Sequence, residues 1–428
     1  MNVRSSSPYL LPALVLSLGA CHRAATTRYE VGTGAPVVTA VMAPAGVSPR
    51  AMQVYREAIV VDTHDDMPTK MLEDGYVPDV LHPAGFSSPA QGHTDLPRLL
   101  SSGITAEFLS AWVDAPFART TPDGSFARAV QYTDSIHAFV ARHPDRLIFA
   151  TTAADVVRAK REGKVAVFIG VEGGHAIEGS LDKLRELHRR GARYLTLTWN
   201  NGNAWAGSSI GVGGTRTGGL TDFGKDVVRE MNRLGMFVDL SHVSDSTFWD
   251  AVHTSTLPVI ASHSSARALN DHPRNLSDEQ LRAVAASGGV VNVNFFSRFL
   301  DPKYRLAIEA MEKQLASDRS RLAATGVSAA IVDSGVARRR AALTAQLPVT
   351  PLSVLIDHFD HIAKVAGVDH VGIGSDFDGV SALPHDMADV TDLPRIAQAL
   401  LDRGYSEPDV KKILGGNMVR VMGQVLKK

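Results

Sequence analysis

Eight short apolar runs, separated by longer amphipathic stretches, constrain this chain more than any other feature. The runs are Ile59–Val61, Ile104–Trp112, Val165–Val171, Tyr194–Trp199, Met236–Leu240, Pro258–Ser262, Gly289–Phe296 and His370–Gly374. Helical patterns lie between most of them, over Leu181–Arg190, Phe223–Leu234, Ser246–His253 and Ser277–Ala286. Leu276-Ser277-Asp278-Glu279 carries the signals of a helix start, and Gly288-Gly289 those of a stop before the next strand. Repeated strand–helix alternation implies a parallel sheet. Eight such units suggest its closure into an α/β (β/α)8 TIM barrel. A doubly wound open sheet is the alternative. One segment breaks the rhythm. Asp301 to about Leu347 is charged and Ala-rich, with Met311, Leu315, Leu322 and Leu343 among polar residues. It reads as a helical insertion before the last strand. Such an insertion either covers the mouth of the barrel or forms a solvated hairpin with no catalytic part.

The chain has 428 residues, 44% hydrophobic and 21% charged, with a net charge of -1. That is a soluble globular composition. The near-neutral charge gives no electrostatic reason for a nucleic-acid partner. Barrels of this class often exceed the usual domain size as one unit, so residues 51–428 read as a single domain. The N-terminus stands apart. Arg4 precedes the apolar run Tyr9 to Leu18, which is too short to span a bilayer. The run closes in Leu18-Gly19-Ala20-Cys21, which resembles a bacterial lipobox. The expectation is a signal peptide over 1–20, cleavage before Cys21 and lipidation of that thiol. An ordinary signal peptide with an incidental cysteine is the alternative. Cys21 is the only cysteine, so an exported domain needs no disulfide. Residues 21–50, rich in Ala, Thr, Gly, Val and Pro, read as a flexible tether. The expected location is the cell envelope, lipid-anchored and facing the periplasm.

In such barrels, function sits at the C-terminal ends of the strands. The first run leads into His64 and Asp66. Alternate residues of a strand share a face, so an imidazole and a carboxylate would stand side by side. That is half of a metal site with N and O ligands. His-x-Asp also begins at His93, His143 and His358, but only the first copy directly follows a β-branched run. Other runs end in Glu172, in Trp199-Asn200-Asn201, in Ser241-His242, in Ser262-His263-Ser264 and in Ser375-Asp376-Phe377-Asp378-Gly379. His175, in a Gly-rich loop, reads as an ordinary loop residue, and Asp62 as a partner of ligands. Burying His, Asp and Glu together costs several kcal/mol unless a cation or hydrogen bonds compensate. The five candidate ligands His64, Asp66, Glu172, His242 and His263 suit two metals sharing a carboxylate.

These stretches resemble the membrane dipeptidase (renal dipeptidase) family of zinc peptidases, within the amidohydrolase-like barrels. The resemblance rests on Asp62-Thr63-His64-Asp65-Asp66-Met67-Pro68, Gly170-Val171-Glu172-Gly173-Gly174, Arg193 to Thr198, Gly219 to Gly224, Val238 to Ser244, Ser262 to Ala266 and Gly374 to Gly379. It spans residue 55 to about 420. It implies two zinc ions, one on His64 and Asp66, the other on His242 and His263, with Glu172 bridging. It implies Asp376 as acid/base and Arg274 as the anchor of the substrate carboxylate. A homodimer is also implied. One position departs from the family's mammalian members, where a histidine follows the Leu-Thr-Leu-Thr run. Here Trp199 stands instead, a donor through its N–H only and unable to carry a proton. Either Asn200, Asn201 or a metal takes up its part at the developing oxyanion, or the preferred substrate differs; Trp199 and Asn200 are read as substrate-binding.

The expected function is dipeptide hydrolysis by a metal-bridging hydroxide, with Asp376 passing the proton to the leaving amine. Arg274 would hold the free carboxylate with two parallel hydrogen bonds, which admits short substrates and penalises long ones. Mn2+ or Co2+ could replace Zn2+ at imidazole–carboxylate sites. Two other readings compete. One is a related amidohydrolase acting on N-acyl-D-amino acids or β-lactams. The other is a non-catalytic envelope lipoprotein on the same barrel.

Overall fold

The computed structural model describes residues 41, 43–117, 124–212, 215 and 217–426. The expected signal peptide, Cys21 and the tether up to residue 40 lie outside the described residues. The strands are β1 (Val61–Asp65), β2 (Ala106–Trp112), β3 (Leu147–Phe149), β4 (Val165–Glu172), β5 (Ala192–Thr196), β6 (Phe237–Asp239), β7 (Ile260–Ala261), β8 (Val290–Val293) and β9 (Val371–Ile373). They pair in parallel in the order β2-β1-β9-β8-β7-β6-β5-β4-β3. A further pairing of β2 with β4, from Ala106↔Ala166 to Trp112↔Glu172, closes the ring. The closed (β/α)8 barrel therefore consists of β1, β2 and β4 to β9, one strand for each apolar run. The strand β3 lies outside it. It pairs with β4 over Val165, Ala166 and Val167, after which β5 takes over that edge from Ile169.

Two apolar layers hold the barrel. Inside the ring, Val61, Ala106, Phe108, Ala166, Phe168, Tyr194, Phe237, Ile260 and Val290 pack with Met418, Val421 and Met422 of the C-terminal helix Asn417–Val425. Phe108 stacks on Phe168 at 4.5 Å. The interior is thus a packed plug beneath the strand ends. Outside the ring, the other strand faces meet the helices. The helices Leu181–Arg189, Asp222–Leu234, Asp245–Thr254 and Asp278–Ala286 begin at Ser180, Thr221, Ser244 and Ser277. Each of these side chains accepts a hydrogen bond from a backbone N–H of the first turn, a cap contributing about 1 kcal/mol.

Between β8 and β9 the chain forms two long helices, Pro302–Ala323 and Ala329–Thr344. They have a small core of their own, from Tyr304, Ile308, Met311, Leu315, Val332 and Val336. At the other end of the chain, the helix Pro49–Glu57 is capped by Ser48. Arg395 donates to Ala45 O at 2.8 Å, and Ser48 N donates to Gln398 at 2.8 Å. No helix among the described residues is long and apolar enough to cross a membrane.

Candidate metal centre

The first two candidate ligands do not meet by strand alternation alone. The pairing of β1 with β2 shifts between Asp62 and Asp65, so the strand is irregular at His64. Asp66 lies beyond β1, at the N-cap of the helix Met67–Glu73, and its side chain makes no cap. Its carboxylate is thereby left for His64, whose Nε2 is 3.4 Å from Asp66 Oδ2. Asp62 Oδ1 accepts from the backbone N–H groups of His64 and Ser375 and ties β1 to the residues after β9.

The other ligand types converge from separate strand ends. Glu172, the last residue of β4, turns its two oxygens to different histidines. Its Oε2 is 3.5 Å from His64 Nε2, whereas its Oε1 is 2.8 Å from His242 Nε2 and 3.5 Å from His263 Nε2. The Nε2 atoms of His242 and His263 are 2.9 Å apart. Ligand atoms of His64, Glu172 and His263 lie within 4.8 Å of one another, as do those of His64, Asp66 and Asp376.

Each ring is fixed from behind. His64 Nδ1 is 2.7 Å from Tyr194 Oη. His242 Nδ1 is 3.0 Å from Asn200 Oδ1. His263 Nδ1 is 2.7 Å from Ser262 Oγ, which donates to Asp239 Oδ2 at 2.6 Å. These partners leave Nε2 of each ring directed at the centre, the arrangement that orients metal-binding histidines. Tyr194 reaches His64 across Gly170, where a Cβ would lie 1.9 Å from the tyrosine Cζ.

The donor set fits a cation. His64 Nε2 and Asp66 Oδ1 are buried without a hydrogen-bond partner among the described residues, a costly state unless something else satisfies them. Burial alone would raise the Glu172 pKa. The charge of His64 and the hydrogen bonds of His242 and His263 outweigh it and hold this carboxyl well below the usual range. Two residues of the cluster carry backbone strain, His242 with φ 68° and Asp376 with φ 64°, and Asp378 beside them has φ 59°. Left-handed backbone outside glycine is uncommon and gathers at functional sites.

Asp376 follows β9 and faces His64 Nε2 at 4.0 Å through Oδ1. Its Oδ2 accepts from Asn294 Nδ2 at 2.8 Å. Burial, with Asp66 and Glu172 nearby, pushes its carboxyl up to about 7. Arg274 is 2% exposed and packs beside His263. It donates to His263 O at 3.2 Å and to Ser264 Oγ at 3.4 Å, its guanidinium 5.3 Å from the Phe299 ring centre. Its Nε has no partner among the described residues. Burial lowers its pKa to about 10.

A cavity of about 760 Å³ opens over this cluster. Asp66, Glu172, His242, Asp376, Trp199 and Asn200 line it, with Trp112, Phe296 and Phe299. Arg305 and Glu309 of the inserted helices line it too, so the insertion borders the mouth. The structure thus gathers His64, Asp66, Glu172, His242, His263 and Asp376 into one cluster. Arg274 lies behind it, not among the lining residues, and Trp199 stands 6.4 Å from the His242 ring. His175 is apart from the cluster, bonded to Val113 O at 2.9 Å. Tyr194, Asn294 and Asp239 are the site residues that sequence reasoning missed, and Ser262, noted at a strand end, was given no role there.

The family model of the membrane dipeptidases (peptidase family M19) matches residues 48–428. Among solved structures, dipeptidase AC, a metallo-peptidase of family M19, shares 27% identity at a TM-score of 0.68, over 86% of this chain and 99% of that one. A metallo-peptidase from Rhodobacter sphaeroides, liganded with a phosphinate mimic of the dipeptide L-Ala-D-Ala, shares 26% at 0.67, over 86% and 100%. The probable dipeptidase PvdM from Pseudomonas aeruginosa shares 24% at 0.72, over 89% and 99%, a likeness of fold. With its barrel and its buried His/Asp/Glu cluster, the chain belongs to the membrane dipeptidase family, M19, and is a metallo-dipeptidase.

Proposed function

We propose that the cluster holds two divalent cations, zinc by donor type, and that the enzyme cleaves dipeptides with a free carboxylate. The observation that carries the two-metal reading is Glu172, whose Oε1 faces His242 and His263 while Oε2 faces His64. A carboxylate so placed suits a bridge, with His64 and Asp66 on one side and the other two histidines opposite. Bound there, the metals would polarise the scissile carbonyl and lower the pKa of a water. Mn2+ or Co2+ would fit the same donors.

The chain's own residues supply the rest. Asp376 Oδ1 takes the proton that the attacking water gives up and passes it to the leaving amine as the C–N bond breaks, and Asn294 holds that carboxylate by its other oxygen. Arg274 binds the substrate carboxylate: two of its five donors are committed, and Nε has no partner. Asn200 keeps His242 in one tautomer. The dipeptide mimic bound to the Rhodobacter sphaeroides relative supports a dipeptide as substrate here.

Metal analysis of the purified protein should give about two zinc per chain. Chelation should abolish dipeptide hydrolysis, and Glu172→Gln should lose both turnover and metal. Full activity with one metal per chain would sink the two-metal reading. A panel of L,L- and L,D-dipeptides against N-acyl-amino acids and β-lactams sets the substrate class. We also propose export and lipid anchoring through Cys21, and a homodimer. Cys21→Ser should release the enzyme from the membrane fraction, and sedimentation should give twice the chain mass.

A further inference from the structure

The cavity has aromatic side chains on both halves, Phe296 and Phe299 after β8 and an indole pair over β2 to β5. Around the ring the strands run β1, β2, β4, β5, β6, β7, β8, β9. Trp112 is the last residue of β2, in register with Glu172 of β4, and Trp199 follows β5. The two indoles therefore flank Glu172, and they meet edge to face at 5.1 Å. Ile210 and Val212, between β5 and β6, line the same side and are 41% and 44% exposed. Four apolar side chains thus form one wall, and the two aliphatic ones stay largely uncovered.

Asp376 lines the other half, and Arg274 lies just behind that side. Arg274 follows β7, and Asp376 follows β9. A dipeptide with its carboxylate at Arg274 and its amide nitrogen at Asp376 has its C-terminal residue over β7 to β9. The acyl residue, across the scissile bond, then falls over β2 to β5. Asp114, two residues beyond Trp112, also lines the cavity there and gives that side a carboxylate for the substrate's free ammonium.

We propose that Trp112 and Trp199 form the acyl-side subsite and select dipeptides whose N-terminal residue carries a large apolar or aromatic side chain. The proposal rests on the dipeptidase reading above. Indole faces suit aromatic rings in stacked or edge-on contact. A cavity of about 760 Å³ is far larger than two alanines fill. Extra apolar contact in a pocket multiplies kcat/KM by roughly 10- to 100-fold.

The test compares Phe-Ala, Leu-Ala, Ala-Ala and Ala-Phe on the zinc-loaded enzyme. Phe-Ala should exceed both Ala-Ala and Ala-Phe, Ala-Ala by roughly 10- to 100-fold in kcat/KM, and only the Phe-Ala gain should depend on the indoles. Trp112→Ala and Trp199→Ala should bring the Phe-Ala to Ala-Ala ratio toward one, and Trp→Phe at either position should keep most of it. Phosphinate mimics with Phe or Ala on the acyl side give a second reading by calorimetry, on the unaltered protein. The Phe mimic should bind at least tenfold tighter. Equal binding of the two mimics, a preference on the C-terminal side, or an unchanged ratio in the folded variants would overturn the proposal. Dipeptide turnover without acyl preference refutes this subsite alone. No dipeptide turnover by the loaded enzyme refutes the reading it rests on as well.

Discussion

Gly379 has no room for a side chain. A Cβ there would come 2.2 Å from Asp66 Oδ2 and 2.4 Å from Asp376 Oδ1. Any substitution must push one of these carboxylates aside, and a shift of about 1 Å at a reacting group can cost about a hundredfold in rate. Gly379→Ala should therefore lose at least about tenfold in kcat/KM and part of its metal, with a thermal midpoint close to that of the parent. Unaltered metal content and rate would refute this. Glu107 presents the opposite case, a buried group that satisfies nothing. It is 0% exposed, and neither carboxyl oxygen has a partner among the described residues. It stands in register with Asp62, whose Oδ2 is also unpaired. Burial, with Asp62 and Asp65 nearby, holds the Glu107 pKa well above its usual value. The folded chain therefore keeps a proton that the unfolded chain gives up as pH rises through 4.5. Stability falls with rising pH across that interval. Glu107→Gln should stabilise the fold by about 1 to 3 kcal/mol at pH 8 and less at pH 4. Urea unfolding at the two pH values checks this, and a pH-independent effect would contradict it. The same scale shows what spacing conveys. All four His-x-Asp copies look alike, but His93 accepts from Asp378 N, His143 meets Asp79 at 2.6 Å, and His358 is bonded in the core. Only the copy at a barrel strand end joins the cluster. Tyr194 gave no such signal, because inside an apolar run it reads as core, and its hydroxyl finds His64 only through the fold. Asn294, in the seventh run, could have been flagged by the strand-end rule that found Asp376.

Among elements, the barrel strands were legible because they are buried on both faces, which writes continuous apolar runs into the sequence. The strand β3 has three residues, too few for any period, and it borders β4 outside the ring. The irregularity in β1 was not legible either. It depends on pairing with β2, which no local pattern records, and it is what carries Asp66 beyond simple alternation. The inserted helices were visible as a charged, Ala-rich excursion, but their contact with the cavity was not. That contact comes from Arg305 and Glu309 on the first helix. The second helix, Ala329–Thr344, buries only Val332 and Val336. Few buried apolar contacts mean a low free energy of local opening. Amides of Ala329–Thr344 should thus exchange with deuterium at least about a hundredfold faster than those of β4, whose eight residues are all buried. Equal protection of the two elements would show that the insertion opens only with the barrel. A ligand that touches Arg305 or Glu309 should slow exchange in the first helix more than in the second.

For the whole molecule, the packed plug beneath and the cluster above follow from one construction. Seven of the eight barrel strands bury apolar side chains inside the ring, and most strands lead into a residue that carries chemistry. The loops must still be held over the ring, and His358 is one of the ties. It sits on the helix Leu352–Ala366, fully buried. Its Nδ1 accepts from Ala266 N at 3.0 Å, in the loop that carries His263 and Arg274. Its Nε2 donates to Leu300 O at 3.0 Å, just before the inserted helices. One ring thus joins three segments, and only its neutral form can do so. A proton on Nδ1 would face the Ala266 N–H. Burial, the largest cause, lowers its pKa from 6.5 to about 4. The unfolded chain therefore takes up a proton between pH 6.5 and 4 that the folded chain refuses. More protons are bound unfolded than folded, so stability rises with pH in this window and is lost as pH falls through it. The full shift corresponds to about 3 kcal/mol. Glutamine cannot titrate, so His358→Gln removes this loss while keeping a donor and an acceptor. Both proteins would be stripped of metal, so that release of ligands in acid contributes equally, and unfolded in urea at pH 7.5 and 4.5. The parent should be the more stable at pH 7.5, and its advantage should shrink by about 2 to 3 kcal/mol at pH 4.5. Parallel pH profiles would mean that His358 does not couple the three segments to its neutral state.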